Sequence, residues 1–485
     1  MRAFSPNLAA IAVTTCLKDN GHSATYLDLA FEFGVPFTEE SRRARDRALA
    51  AHFEANPVDN LFISCVSAAE HLTLAAVARV AREALPGAII GVGSYHANTL
   101  RENLLRQIPE IDFVFLGDIE PAVAALMERL RLRDRRALAS MANVLVRTDE
   151  DVSARLARPA GYGAASRFDF GVSRKYMKYY DCLATVAGKG CPFPCTFCQE
   201  KHVRHGHSLR PPAEVVDEAH RNLAVYAEET GRRSIPYGFM DPLFGLNRSW
   251  TAEFCREILK RPLGVPWGFQ TRVGQFDSTE LARLAEAGCA VIYVGLETFS
   301  PEMLRRMRKT PDPVHYLARF RQDIDNFGKL GIQLEANILF GFPGESRRTL
   351  QETRNGIAEM KAVLSHPSLN LNLYRPFIDT QDLVGNADAP ESRLLIRDWW
   401  DKGVAPGVTI LVEPGPDLPA SELVHFFEEM YADDACYQRR GVTADMDSLF
   451  REGNVGVDSL ELISGRSRAR QGTPIECYSN CGDGI

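Results

Sequence analysis

The chain has 485 residues, 45% apolar and 25% charged, with 56 Lys and Arg against 63 Asp and Glu for a net charge of −7. That is the mix of a globular protein long enough for two or three domains and for a core without disulfide staples. It argues against nucleic acid as a partner, since phosphate binding rests on clustered Lys and Arg, and no apolar run reaches the roughly 18–20 residues that span a bilayer. The Met1–Pro6 segment lacks the apolar core of a signal peptide, so a cytoplasmic location is expected. In that compartment the eleven cysteines are expected as thiols or metal ligands. The basic stretches Arg42–Arg47 and Arg131–Arg136 are short and mixed, and read as solvated helix faces.

The first 130 residues alternate strand and helix patterns. Leu8–Asp19 has helical periodicity and stops at Asn20-Gly21. Ala24–Leu29 reads as a short strand and Asn60–Ser67 as a buried one. Thr73–Ala84 is a helix closed by Pro86-Gly87, and Ala88–Val92 is a strand running into Gly91-Val92-Gly93-Ser94. Ile111–Leu116 is another strand, followed by Gly117-Asp118-Ile119-Glu120 and a helix from Pro121. Strand, small-residue loop, helix predicts a Rossmann-like parallel sheet with a ligand crevice at the strand C-termini.

Residues 131–180 are less regular and read as a linker, with Gly161–Arg167 loop-like. Over 181–390 the βα rhythm resumes, with strands expected at 183–187, 235–240, 267–272, 290–296, 333–339 and 369–374. Helices such as Ala213–Thr230 and Ser278–Ala287 lie between them. Six such units predict an α/β fold with a partial (β/α)6 barrel. Residues 391–485 read as a small C-terminal cap containing Trp399-Trp400 and a helix at Ser421–Tyr431.

The strongest motif is Gly190-Cys191-Pro192-Phe193-Pro194-Cys195-Thr196-Phe197-Cys198, immediately after an expected strand. Three thiolates at C-x3-C-x2-C are soft ligands that suit an iron–sulfur cluster or zinc. Three close ligands leave one iron of a four-iron cluster open to a small molecule. His202, His205 and His207 follow closely, so a structural zinc site, with no catalytic role, stays open on spacing alone.

The motif, with its aromatic before the last cysteine, resembles the radical SAM enzymes. Further anchors follow in order. Ile235–Asp241 ends the second strand, where the family contacts the SAM amino group. Arg272 lies on the third strand, and Val294–Thr298 ends the fourth with Glu297. Asn337–Glu345 resembles the family's fifth-strand segment, which passes near adenine. The resemblance implies a [4Fe–4S] cluster on Cys191, Cys195 and Cys198, and SAM contacts at Phe197, Phe239, Met240, Asp241, Arg272, Glu297, Asn337 and Gly341. It implies cleavage of S-adenosylmethionine to methionine and a 5′-deoxyadenosyl radical that abstracts hydrogen from an unreactive carbon. It also implies an external electron donor such as flavodoxin or ferredoxin. Each anchor has a structural reading as well. Glu297 could pair with Arg272, Asp241 could cap the next turn, Gly341 and Gly344 could serve turn geometry, and Lys309, at a recurrent basic position, is expected on the surface.

Residues 5–130 resemble the cobalamin-binding domain of a large radical SAM subgroup that includes methyltransferases. The resemblance places cobalamin contacts at Ser5, Asn7, Ser64, Val66, Ser67, Gly91, Gly93, Ser94, Tyr95, Gly117 and Glu120, and makes methylation of a small molecule the leading reaction. A dehydratase, cyclase or rearrangement enzyme is the alternative. Only Met1–Phe4 precede the Ser5 loop, so the subgroup's opening strand is expected to be absent or very short. No Asp-x-His-x-x-Gly segment offers a cobalt ligand, which matches the subgroup. Tyr374 and Asp379, after the sixth strand, are candidate substrate contacts. Cys477 and Cys481 near the end read as incidental thiols or part of a cap.

Overall fold

The computed structural model describes residues 6–36, 38–147, 152–154, 166–200, 206–364, 368–378, 380–402 and 410–432. Ser5, His202, His205, Asp379, Cys477 and Cys481 lie outside them. The chain divides into two compact units, the first reaching Asp181 and the second starting at Cys182. Among the described residues no helix is long and apolar enough to cross a membrane.

The first unit is built on a five-stranded sheet in sequential order: β1 (Asn60–Ser64), β2 (Ile89–Gly93), β3 (Phe113–Phe115), β4 (Val144–Arg147) and β5 (Val152–Ala154). β1, β2 and β3 are parallel, while β4 and β5 run antiparallel to their neighbours. Side chains alternate across the sheet, and both faces are covered. Ile90 packs with Leu49, Phe53, Val77 and Val80 on one face, and Phe113, Phe115, Val144 and Val146 pack with Leu126 and Leu130 on the other.

Two expectations change here. Ala24–Leu29 is not a strand: Asp28 caps a short helix, Leu29–Phe33, accepting from the Ala30 and Phe31 N–H groups. A polar cap one residue before an apolar run outweighs the strand pattern. The stretch 131–180 is more than a connection, since it supplies β4, β5 and a 3₁₀ run at Phe170–Tyr179. Its strands are only four and three residues long, too few for sequence periodicity to register.

The second unit carries six parallel strands in sequential order, the open barrel expected from the βα rhythm. They are β6 (Leu183–Thr185), β9 (Tyr237–Phe239), β10 (Trp267–Arg272), β11 (Cys289–Glu297), β12 (Gln333–Phe340) and β13 (Ser368–Leu373). A two-residue hairpin of β7 (Gly188–Lys189) and β8 (Ser208–Leu209) stands beside β6. Aromatic side chains fill the space between β9, β10 and the helix Arg248–Lys260, with Phe244 stacked on Phe269 at 4.3 Å and Phe239 edge-on to Phe254 at 4.9 Å. The helix Ala420–Ala432 closes against the end of β12, where Phe340 meets Phe426 at 5.5 Å.

Candidate cluster and cofactor site

The three motif cysteines lie in the loop that leaves β7 and returns through β8. Gly190 sits at its base with φ +84, and a Cβ there would lie 2.0 Å from the Gly206 carbonyl oxygen. Glycine is therefore required both by backbone conformation and by the close approach of the two loop ends. The far side of the loop is tied down by Thr196, whose N–H donates to the Met307 carbonyl at 3.0 Å. Cys195 is buried, and Cys191 and Cys198 are half-buried. Burial pushes the Cys191 thiol up, and the Cys198 thiol up to about 12, so holding them as thiolates needs a cationic partner or a metal.

A cation is present. Arg272, at the end of β10, donates from Nη1 to Cys195 Sγ at 3.4 Å. Its guanidinium lies 3.7 Å from the centre of the Phe193 ring, and Nη2 donates to the Lys309 carbonyl oxygen. Phe193 and Lys309 thus hold the guanidinium against the cysteine loop. Among the described residues no three His, Cys, Asp or Glu side chains close round a single ion. A four-iron cubane takes each thiolate on a different iron and asks for spread ligands instead.

Glu297 does not pair with Arg272. A bulge between Gly295 and Glu297 interrupts the β11–β12 register, and Glu297 has φ +74. Bulges of this kind re-aim a side chain. Here the carboxylate meets Lys309 Nζ at 2.7 Å, with both side chains nearly buried. Lys309 is thus not on the surface. Burial disfavours its charge most strongly, but Glu297 together with Tyr316 and Cys195 outweighs that and holds its pKa above the ordinary lysine value. Gly295 makes room for the pair, since a Cβ there would fall 2.8 Å from Glu297 Oε1 and 2.9 Å from Lys309 Nζ. Tyr316 donates to the Gly295 carbonyl at 2.9 Å and pins the bulge.

Asp241 follows β9 and is 1% exposed. It caps no helix. Its Oδ1 accepts from the Ala187 N–H at 2.7 Å, and Oδ2 has no partner among the described residues. Burial raises its pKa to about 7, against the opposing pull of the Gly188 and Ala187 N–H groups and Arg210. A buried carboxylate oxygen left open is what an ammonium ligand would complete. Beside it Met240 is 48% exposed.

Asn337 lies on β12, where Asn370 Nδ2 donates to its Oδ1 at 2.8 Å. Gly341 has φ +79, and its N–H donates to Glu345. Phe197 packs against Met303, Met307, Phe342 and Tyr374.

Phe239 is fully buried in the aromatic core, so only its backbone can serve a ligand. Tyr374 is likewise buried against Phe342 at 5.0 Å, a packing role in place of the expected substrate contact. Strand alternation sends Phe239 to the helix side, while Tyr374, one residue past the end of β13, joins the apolar cluster of Phe197, Met303, Met307 and Phe342. Phe193, Thr196 and Tyr316 are residues to which the sequence assigned no role. Phe193, held between two prolines inside the motif, was the one with a signal.

In the first unit the expected contacts gather at the carboxyl ends of β1, β2 and β3. Asn7 caps the helix Leu8–Asp19 and accepts from Ser64 Oγ at 3.2 Å. Ser67 and Glu70 form a capping box after β1, with the Val66 N–H donating to Glu70 at 3.0 Å. Ser94 (φ +83) and Gly117 (φ +81) both turn in the left-handed region, Tyr95 opens a short helix, and Glu120 accepts from Ser166 at 2.7 Å. Gly93 is open, with only the Phe115 carbonyl oxygen within 4 Å of a Cβ placed there. Gly91 differs: a Cβ would strike the Phe113 ring at 2.2 Å, so its smallness serves the sheet packing and not a ligand.

Residues 185–356 match the Radical SAM superfamily. The chain carries a radical SAM domain. The match runs from the end of β6 into the helix after β12, and so includes the cysteine loop, Asp241, Arg272, Glu297 and Lys309. Two sequence relatives of this chain are bacteriochlorophyllide d C-12(1)-methyltransferase from Chlorobaculum tepidum and the anaerobic magnesium-protoporphyrin IX monomethyl ester cyclase of Rubrivivax gelatinosus. The first is 28% identical over 40% of this chain and 41% of its own length. The second is 27% identical over 57% of this chain and 50% of its own. The chain thus spans about half the length of these relatives. Among solved structures, the radical S-adenosylmethionine methyltransferase TsrM from Kitasatospora setae, with tryptophan substrate and a SAM analogue bound, has the same fold. Its TM-score is 0.68 at 16% identity, over 90% of this chain and 89% of that one. The cobalamin-dependent radical enzyme OxsB, with aqua-cobalamin and S-adenosylmethionine bound, gives a TM-score of 0.59 at 16% identity over 90% and 60%.

Proposed function

We propose that this chain is a cobalamin-dependent radical SAM methyltransferase acting on an unactivated carbon of a small metabolite or natural-product intermediate. The observation that carries the reading is the cysteine loop at the barrel's strand ends, with Arg272 on Cys195 and the open oxygen of Asp241 on the neighbouring strand. The Rossmann-like sheet of the first unit, with hydroxyls and small residues at its parallel strand ends, supports a corrin partner. When bound, the cluster and SAM would supply the 5′-deoxyadenosyl radical and cobalamin the methyl group.

The chain's own residues bind, orient and shield. Cys191, Cys195 and Cys198 would hold three irons of a [4Fe–4S] cluster. Asp241 Oδ2 would take the SAM ammonium, and Asn337 and the Gly341 turn would flank its adenosine. The Glu297–Lys309 pair keeps the bulge at the end of β11 in shape. Phe197, Met303, Met307 and Phe342 form an apolar wall that keeps water from a reactive species. An external donor such as flavodoxin or ferredoxin would deliver the electron, in a cytoplasmic setting.

The test is anaerobic incubation of reconstituted protein with SAM, cobalamin, reductant and candidate substrates. S-adenosylhomocysteine together with 5′-deoxyadenosine supports methylation. A second reading, suggested by the cyclase among the sequence relatives, is a radical rearrangement or cyclisation, in which 5′-deoxyadenosine forms without S-adenosylhomocysteine. In either case Cys195→Ala should abolish 5′-deoxyadenosine formation and lower iron content. Unchanged formation would remove the cluster assignment, and about one zinc with no iron or sulfide in the wild type would sink both radical readings.

A further inference from the structure

We infer that Arg272 is a cluster-tuning residue and not a ligand of SAM. Its visible contacts all run to the cysteine loop and its support: Nη1 to Cys195 Sγ at 3.4 Å, the guanidinium face 3.7 Å from the Phe193 ring centre, and Nη2 to the Lys309 carbonyl oxygen. A guanidinium so engaged has little freedom to turn toward a carboxylate elsewhere.

The charges nearby decide what it can do. The acid expected to neutralise it, Glu297, is committed to Lys309 at 2.7 Å. Lys309 and Glu297 cancel, and Arg272 is the cation that touches Cys195, while the buried acid of the loop, Glu200, acts on Cys191 and Cys198. Arginine stays protonated at any working pH and is weakly hydrated, so this charge is permanent. A cation and an N–H donor on a cluster sulfur favour the more negative, reduced state, and hydrogen bonds and net charge set the potentials of such clusters. The contact falls on Cys195 alone of the three cysteines among the described residues. Arg272 thus makes the cluster easier to reduce by an outside donor, acting through the iron that Cys195 would hold.

The inference rests on the cluster assignment proposed above, and the experiment separates the two. Reconstituted full-length protein without SAM is titrated with reductant and followed by EPR, for the wild type, Arg272→Gln and Arg272→Lys. Arg272→Gln should shift the oxidised-to-reduced ratio at fixed poise about tenfold toward oxidised, a lowering of about 59 mV for a one-electron couple. Arg272→Lys, which keeps the charge but loses the fork, should fall between. SAM affinity on the oxidised proteins, by equilibrium dialysis, should stay within about threefold of wild type. An unchanged potential in both variants, or SAM binding weakened more than about tenfold with the potential unchanged, overturns the tuning role. If Arg272→Gln fails to assemble a cluster, Arg272→Lys carries the measurement. Wild-type protein that takes up no iron overturns the cluster reading itself.

Discussion

Lys309 Nζ meets Glu297 Oε1 at 2.7 Å in a nearly water-free space made by Gly295. The pair joins the bulged end of β11 to the turn that receives the cysteine loop, since Thr196 bonds to Met307 two residues before Lys309. Removing one partner strands the other's charge in a low-dielectric site, at a cost of about 3–5 kcal/mol. Lys309→Met and Glu297→Gln should each lower the midpoint of thermal unfolding, and the double variant should recover much of the loss. Additive single losses would show that the two charges do not depend on each other.

Glu345 is 1% exposed, with Oε2 accepting from the Gly341 N–H and Oε1 unpartnered among the described residues. Burial raises its pKa to about 8, partly offset by that N–H, from an ordinary 4.5. In the folded chain the carboxyl is therefore mostly protonated at neutral pH. A folded pKa above the unfolded one means that this stability is full below about pH 4.5 and is lost as pH rises through 8. Glu345→Gln keeps the hydrogen bond without the charge. It should be more stable than wild type above pH 8, by up to about 4 kcal/mol, with the difference fading toward pH 5. Equal unfolding midpoints at pH 5 and 9 would refute a buried neutral Glu345.

Asp241 sets stability against binding. Burial lifts its pKa to about 7, so the ligand-free protein loses stability as pH rises from about 4 to 7. Asp241→Asn should raise the unfolding midpoint at pH 8. It should also weaken SAM binding, because the ammonium needs a carboxylate. In the wild type SAM should bind about tenfold more weakly at pH 6 than at pH 8. Affinity that ignores both the substitution and the pH would remove Asp241 from the SAM site.

Gly190 is the tightest point of the cysteine loop. With φ +84 and a Cβ position 2.0 Å from the Gly206 carbonyl oxygen, Gly190→Ala must shift backbone and not a flexible side chain. A cost of about 1–3 kcal/mol is expected. Because the strain falls between β7 and β8, the reconstituted variant should hold clearly less iron per chain than wild type. Full iron content would mean that the hairpin does not fix the loop's geometry.

The candidate site was legible where chemistry is local. Three cysteines in eight residues, the glycine before them and the Asn337–Glu345 segment carry their meaning in the spacing. Side-chain direction was less legible. Phe239 and Tyr374 occupy strand-end positions that resemble site residues, yet both turn into the core. Lys309 looks like a surface lysine because its partner Glu297 is twelve residues away and aimed by a bulge. Tyr316 and Thr196 bond to the backbone carbonyls of Gly295 and Met307, contacts that no sequence pattern marks.

The sequence by itself determined the βα rhythm, the order of the barrel strands and the three thiols, because helix and strand periodicity and cysteine spacing are properties of neighbours along the chain. The fold decided the charge around those thiols. Whether Glu297 neutralises Arg272 or Lys309 depends on one bulged residue at φ +74 and on the missing side chain of Gly295. Electrostatics falls off with distance in space, and distances of a few ångströms between residues 195, 272, 297 and 309 exist only once β10 and β11 lie side by side.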